Sequence, residues 1–365
     1  MSKVKNFYAG SNSSIGFYSL YDEALKDLET LYILKGGPGT GKSSFMKKVG
    51  SAVAQAGYNI EVLHCSSDNK SIDGIIIPAL KIGFVDGTAP HIVDPKYPGV
   101  VDKIINLGDY RDDTKLKQHR EEIVQLTDEI SDCFREAYQK FADAKKVHLK
   151  KEEIYIEAMD FNKADEITQH LMEKIFERTA DPGKNNKSRK IFFGAATPEG
   201  PVNYIDNITE DVAKRYIIKG RSGSGKSTLM KRIAKKAESM DLNVETYYCA
   251  FDPNSVDMII IPSLDVAVLD GTAPHVIDAT RANDEIIDMF ELCIDKTVEV
   301  ERREEIKELE SRYKHIMRLG TASLQKAKDL HDRLEAYYIA AMDFAAIDRR
   351  QEELLEEIFA ATRQP

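Results

Sequence analysis

The chain has 365 residues, 42% apolar and 31% charged, with 51 basic and 61 acidic side chains for a net charge of −10. These are globular proportions, so neither a disordered nor a fibrous chain is expected, and the acidic balance argues against a general binder of nucleic acid or membrane. Cys65, Cys133, Cys249 and Cys293 form no CxxC pair or zinc-spaced cluster, and no window reaches about 18 apolar residues, so reduced thiols and a cytoplasmic location are expected.

In chain order, a short apolar stretch over Val4–Ala9 precedes a β-type run, Leu31-Tyr-Ile-Leu34, which enters the glycine-rich Gly36-Gly-Pro-Gly-Thr-Gly41-Lys42-Ser43. A helix is predicted over Ser43–Ala56, a strand over Asn59–Cys65, a short segment ending at Pro78, and a strand over Ile82–Val85 that ends at Asp86. One strand is thus predicted between the glycine loop and Asp86, and no clear strand between Asp86 and the helical region. From about residue 114 to 180, Glu, Lys, Arg and Gln dominate, and Leu116, Ile123, Ile130, Ala137 and Ala144 recur every seven residues. This is a helical seam; one helix over Thr114–Lys150 would be about 55 Å long. Such an arm either covers a sheet or its twin, or serves as a lever or docking stalk for a protein partner.

The same order then recurs. Lys226 lies 226 − 42 = 184 residues after Lys42, and at this offset Cys65, Asp68, Ser71 and Asp73 fall on Cys249, Asp252, Ser255 and Asp257. Asp86-Gly-Thr-Ala-Pro-His91 falls on Asp270-Gly-Thr-Ala-Pro-His275, and Tyr155–Phe161 on Tyr338–Phe344 at 338 − 155 = 183. Two homologous domains fused in tandem are predicted: residues 1–181 with an arm at about 114–180, a polar linker at 182–188, and residues 189–365 with an arm at about 282–361. Strands alternating with helices predict an α/β fold, three-layered with a mainly parallel sheet in each half. The halves would face each other as a pseudo-dimer within one chain.

Both Gly36–Ser43 and Gly220–Ser227 fit GxxxxGK[ST], each between a β-type run and a helix, so each half resembles a P-loop NTPase domain. The glycines Gly36, Gly39 and Gly41, and Gly220, Gly223 and Gly225, let successive amides turn inward around a phosphate at a helix start. The resemblance implies that Lys42 and Lys226 bridge the terminal phosphates, with Ser44 and Thr228 completing the loops. It further implies that Ser43 with Asp86, and Ser227 with Asp270, hold Mg²⁺, the aspartates standing where the Walker B carboxylate stands. The tandem arrangement looks like an uncharacterised bacterial family of P-loop proteins, ATPase or nucleotide-kinase-like.

P-loop ATPases often place a catalytic glutamate directly after that aspartate, but Gly87 and Gly271 stand there. Hydrolysis must therefore use another group, and His91 and His275 are candidates, against a structural role in the turn. Asp68 and Asp252, just past the second strand, are candidates for the base that deprotonates an acceptor hydroxyl, against a turn role. Arg221 and Arg281, which have no first-half counterparts, are candidates to reach across to the other half's terminal phosphate. Asn162-Lys-Ala-Asp165 spells NKxD, but in a helical stretch, so ATP rather than GTP is expected. Three functions compete: an ATPase that moves its arms, a phosphotransferase acting on a nucleotide or small hydroxyl compound, and a non-catalytic ATP sensor or adaptor.

Overall fold

The computed structural model describes residues 2–89, 92–177 and 188–361; His91 and residues 182–187 of the predicted linker lie outside this range. The first half runs β1 (Val4–Phe7), β2 (Gly10–Ser13), β3 (Gly16–Ser19), α1 (Tyr21–Ala24), β4 (Thr30–Lys35), α2 (Lys42–Gln55), β5 (Ile60–His64), β6 (Ile72–Ile77), β7 (Ile82–Asp86) and β8 (Asp102–Asn106), then α3 (Asp113–Lys117), α4 (Arg120–Glu157) and α5 (Phe161–Phe176). The second half runs β9 (Arg189–Ile191), β10 (Gly194–Thr197), β11 (Gly200–Asn203), α6 (Ile205–Ile208), β12 (Lys214–Lys219), α7 (Lys226–Glu238), β13 (Glu245–Tyr248), β14 (Val256–Ile261), β15 (Val266–Asp270) and β16 (Asp284–Asp288). It ends with α8 (Met289–Cys293), α9 (Val298–Glu301), α10 (Arg303–Ala341) and α11 (Phe344–Ala361).

Each half builds a six-stranded sheet in the same order, β1-β5-β6-β7-β4-β8 and β9-β13-β14-β15-β12-β16. Only β6 and β14 run antiparallel to their neighbours. The strand entering each glycine loop lies between two parallel partners, one of which ends at Asp86 or Asp270. The structure corrects the expected strand count: β6 and β14 lie between the loop and the aspartate strand, and β8 and β16 precede the arms. The β6 sequence hides its nature because all six residues are buried, so polar and apolar residues do not alternate. Its Gly74 is required by packing, since a Cβ there would lie 2.7 Å from the Phe84 carbonyl oxygen.

Alternation along the strands sorts side chains into two layers. Ile33, Leu63, Ile76 and Val85 of the first sheet meet Ile217, Met258, Ile260 and Leu269 of the second in one shared core, with Tyr21 of α1 and Ile205 of α6. The opposite faces carry Tyr32, Leu34 and Phe84, or Tyr216, Ile218 and Val268, and are covered by α2 and α7. At the sheet edges Tyr8 and Phe192 exchange backbone hydrogen bonds of 2.9 and 3.0 Å. Beside them Arg189 clamps Glu61 with two bonds of 2.8 Å.

The arms exchange between the halves. Helices α4 and α10 pack side by side in opposite directions, Leu126 and Cys133 against Leu330 and Leu334 at one end, Ile154 and Tyr155 against Ile306 at the other. Beyond α4, α5 lays Ala164, Leu171 and Ile175 onto the outer core of the second sheet. Reciprocally, α11 lays Ile347, Leu354 and Ile358 onto the first. Packing therefore does not follow the division of the sequence at residue 181. Among the described residues no helix is long and apolar enough to cross a membrane.

Candidate functional site: two glycine loops capped by exchanged arms

Each glycine loop joins a central strand to a helix start. Gly36, Gly39 and Gly41 have φ of 154°, 66° and 89°, and Gly220, Gly223 and Gly225 have 150°, 80° and 80°, in the region that favours glycine. Buried Thr40 and Ser224 stabilise the turns by donating to the carbonyls of Gly37 (2.9 Å) and Arg221 (2.7 Å). The loops end on Gly41 and Gly225, which precede the first residues of α2 and α7, Lys42 and Lys226. Their amides and the positive helix end make a concavity suited to an anion.

The lysines fold back over the loops. Lys42 Nζ donates to the carbonyls of Gly36 (3.0 Å) and Gly37 (2.8 Å), and Lys226 Nζ to those of Gly220 (3.1 Å) and Arg221 (2.8 Å). Each ammonium lies 3.6 Å from the aspartate of the neighbouring strand, Asp86 or Asp270. Asp86 Oδ1 accepts from the Thr88 amide at 2.9 Å, and Asp270 Oδ1 from the Thr272 amide at 2.9 Å, which fixes both carboxylates. Ser43 Oγ accepts from the Ile72 amide at 3.0 Å and Ser227 Oγ from the Val256 amide at 2.9 Å, so both hydroxyl oxygens are held at the loop ends. The structure thus sets Lys42 beside Asp86 and Lys226 beside Asp270. Ser44 and Thr228 follow within the first turns of the two helices.

Other candidates have different surroundings. Asp68 accepts from the Lys70 amide (2.9 Å) and Ser71 Oγ (2.7 Å), and Asp252 from the Asn254 amide (3.3 Å), the geometry of turn aspartates. Each is also paired with a lysine from an arm: Lys145 Nζ lies 2.6 Å from Asp252, and Lys328 Nζ 3.8 Å from Asp68. His275 is buried, with Nδ1 3.3 Å from Asn203 Nδ2 and its ring edge-on to Phe193 at 4.9 Å, and burial pushes its imidazole down to about 4. Arg221 binds Glu299 of its own half at 2.7 Å and lies over the Phe290 ring, while Arg281 donates to the Thr209 carbonyl, so neither reaches across. Burial likewise pushes the Cys65 and Cys249 thiols well up, which suits packing rather than nucleophilic attack. Asn162–Asp165 lies on the first turn of α5, away from any strand end.

What crosses between the halves is the arms. A Cβ at Gly37 would lie 2.8 Å from the Tyr338 ring, and one at Gly39 would lie 2.8 Å from the Glu335 carbonyl oxygen. The Gly39 amide donates to Glu335 Oε1 at 3.1 Å. At the second loop a Cβ at Gly223 would lie 2.6 Å from the Glu152 carbonyl oxygen, and one at Gly225 would lie 2.9 Å from Met159 Cε. His148 lies beside Tyr313 and Phe251, and burial, then the Lys145 charge, pushes it down to about 4.

The capping residues share one pattern, Lys145-x2-His148-x3-Glu152-x2-Tyr155 and Lys328-x2-His331-x3-Glu335-x2-Tyr338. At 3.6 residues per turn this spacing falls within one stripe of about 80°. Sequence reasoning passed over it, although the 183-residue offset linking Tyr155 to Tyr338 extends back through all four positions.

A cavity of about 460 Å³ opens at the start of the second loop, lined by Lys219, Gly220, Arg221, Thr272, Asp288 and Phe290 among others. That is a size typical of small-molecule sites. A smaller one, about 140 Å³, lies against the other arm and is lined by Asp68, Asn69, Lys70, Lys328 and Asp332. Compared with protein-family models, curated proteins and solved structures, the chain finds no match.

Proposed function

We propose that the chain is a Mg²⁺-dependent, ATP-binding tandem P-loop protein, an ATPase in which nucleotide binding and hydrolysis rearrange the exchanged arms. The observation that carries this reading is that each anion-shaped loop is capped by the other half's arm, through Glu335 and Tyr338 at one loop and Glu152 and Met159 at the other. A phosphate chain entering the loop takes the Gly39 amide from Glu335, and the helix behind it is pushed. The donor sets fit a magnesium nucleotide: Ser43 with Asp86, and Ser227 with Asp270, offer only hard oxygens beside an ammonium group. Held there, Mg²⁺ would supply charge neutralisation on the terminal phosphates. Lys42 and Lys226 would leave their loop carbonyls for the phosphate oxygens.

The test is phosphate release from ATP with Mg²⁺ and no added acceptor. Turnover is expected in the unaltered chain, and Lys42→Ala with Lys226→Ala is expected to abolish it; activity persisting in that double variant would refute the reading.

One observation favours a second reading, acceptor phosphorylation, because the smaller cavity presents the Asp68 carboxylate next to the arm that caps the first loop. A screen of nucleosides, nucleotides and sugars decides it: ADP formation that depends on no acceptor removes this alternative.

A further inference from the structure

Hydrolysis of a nucleoside triphosphate requires a group to accept the proton of the attacking water. The position directly after the metal-side aspartate is closed to any side chain in both halves. A Cβ at Gly87 would lie 2.5 Å from Ile33 Cγ2 and 2.9 Å from the Val93 carbonyl oxygen. At Gly271 the corresponding distances are 2.4 Å to Ile217 Cγ2 and 2.9 Å to the Ile277 carbonyl oxygen. Contacts under 3.0 Å with backbone or packed core atoms leave no room for a glutamate there.

The glutamates that do stand over the loops come from the opposite half. Glu335 Oε1 already accepts from an amide of the first loop, with His331 Nδ1 3.8 Å behind it. Glu152 holds the matching place at the second loop, its Cγ 3.2 Å and its carbonyl oxygen 2.6 Å from the Cβ position of Gly223. Both helix backbones are seated directly on the loops. A phosphate that takes the Gly39 amide displaces the Glu335 carboxylate and pushes the helix that carries it, which leaves that carboxylate next to the phosphate it yields to.

We infer that each phosphate loop is completed in trans: Glu335 is the water-activating carboxylate for the first loop and Glu152 for the second. This rests on the ATPase reading above. In the step assigned to them, the water oxygen bonds to the terminal phosphorus while the bond from that phosphorus to the bridging oxygen breaks. The bridging oxygen leaves with the diphosphate, and the water proton passes to the glutamate and from it to the released phosphate. Water is the only co-reactant. Removing a general base of this kind lowers turnover by about 10²–10⁴-fold.

The test pairs each glutamate with a single surviving loop. In a Lys226→Ala chain, which keeps only the first loop, Glu335→Gln is expected to lower kcat by about 10²–10⁴-fold and Glu152→Gln by less than about tenfold. In a Lys42→Ala chain the ranking reverses. Equilibrium binding of a fluorescent N-methylanthraniloyl-ATP is read in parallel. Its affinity for Lys226→Ala/Glu335→Gln is expected to equal or exceed that for Lys226→Ala, because a neutral amide competes less well with phosphate for the Gly39 amide. If loss of one lysine already silences both loops, Glu152→Gln with Glu335→Gln in the otherwise unaltered chain is expected to bind the analogue and not turn over.

Unchanged kcat, a loss that follows the glutamate of the same half, or a fall in kcat matched by an equal fall in affinity would each overturn the assignment. Tighter binding with unchanged kcat would also overturn it, making the carboxylates mere competitors for the loop. Turnover surviving Lys42→Ala with Lys226→Ala would instead refute the ATPase reading itself.

Discussion

His275 and Asp270 share one turn, yet the fold uses them oppositely. Asp270 stays at the strand end facing Lys226, whereas His275 is packed against Phe193 and Asn203 and held neutral by burial, with its pKa at about 4. His64, 2.9 Å from Asn6 Oδ1 and stacked on Tyr204, and His148 are also pushed down to about 4 by burial. An unfolded chain takes up these protons near pH 6.5, so the stability they contribute is complete above that pH and is lost as pH falls toward about 4. For His275 the full loss is about 3 kcal/mol. Thermal melting is therefore expected to drop between pH 7 and 4.5, with a shallower slope in His275→Asn; an unchanged slope would mean that His275 is not a buried neutral imidazole. The repeat of Asp-Gly-Thr-Ala-Pro-His made both residues visible in the sequence. It could not separate them, because Asn203 and Phe193 lie more than 70 residues away.

Among the elements, the strands and helices that flank the glycine loops were legible because each pair combines a short apolar run with a glycine signature and a 3.6-residue period. The missed strands have local reasons. Buried β6 breaks its apolar run with Asp73, which accepts from distant Tyr21 Oη at 2.9 Å, and β8 is a short edge strand with polar ends. The heptad seam of the first arm marked the long α4, but the structure breaks the expected Thr114–Lys150 helix after α3 and extends it to Glu157, and the seam carries no information about which half such helices will cover. Their crossing has its own packing rule: a Cβ at Gly320 of α10 would lie 2.5 Å from the Phe141 ring of α4. At the 183-residue offset, Gly320 and Phe141 correspond to Ala137 and Leu324, so a smaller residue accompanies the larger ring within one cluster. Gly to Ala in a helix ordinarily gains up to about 1 kcal/mol. Here Gly320→Ala is expected instead to destabilise by about 1–3 kcal/mol through overpacking. Adding Phe141→Leu, which reproduces the Ala/Leu pairing of the other half, should recover most of that loss; urea unfolding that shows Gly320→Ala neutral or stabilising would refute the crossing geometry.

At the scale of the molecule, the exchange makes each half depend on the other for both core and site. The first sheet's outer core contains Phe45, Val49 and Val53 from its own helix but is closed by Ile347, Leu354 and Ile358, and Gln351 Nε2 donates to the Phe45 carbonyl at 2.9 Å. A fragment ending at residue 181 therefore exposes that face. It also carries α5 with its apolar stripe, Ala164, Leu171 and Ile175, and no sheet to cover. The shared core between the sheets loses Ile217, Met258, Ile260 and Leu269 as well. Hydrophobic burial is the main favourable term in folding, and losing three apolar faces at once exceeds the few kcal/mol of net stability usual for a domain. The fragment alone is expected to aggregate or to unfold without cooperativity. Co-expressed with residues 182–365, it should form a one-to-one complex with the melting behaviour of the intact chain, because the exchanged helices need no covalent linker to find their sheets. Sedimentation and calorimetry decide this: a monomeric fragment that unfolds cooperatively by itself would show that its own arm can fold back onto its own sheet, and that the halves are not interdependent.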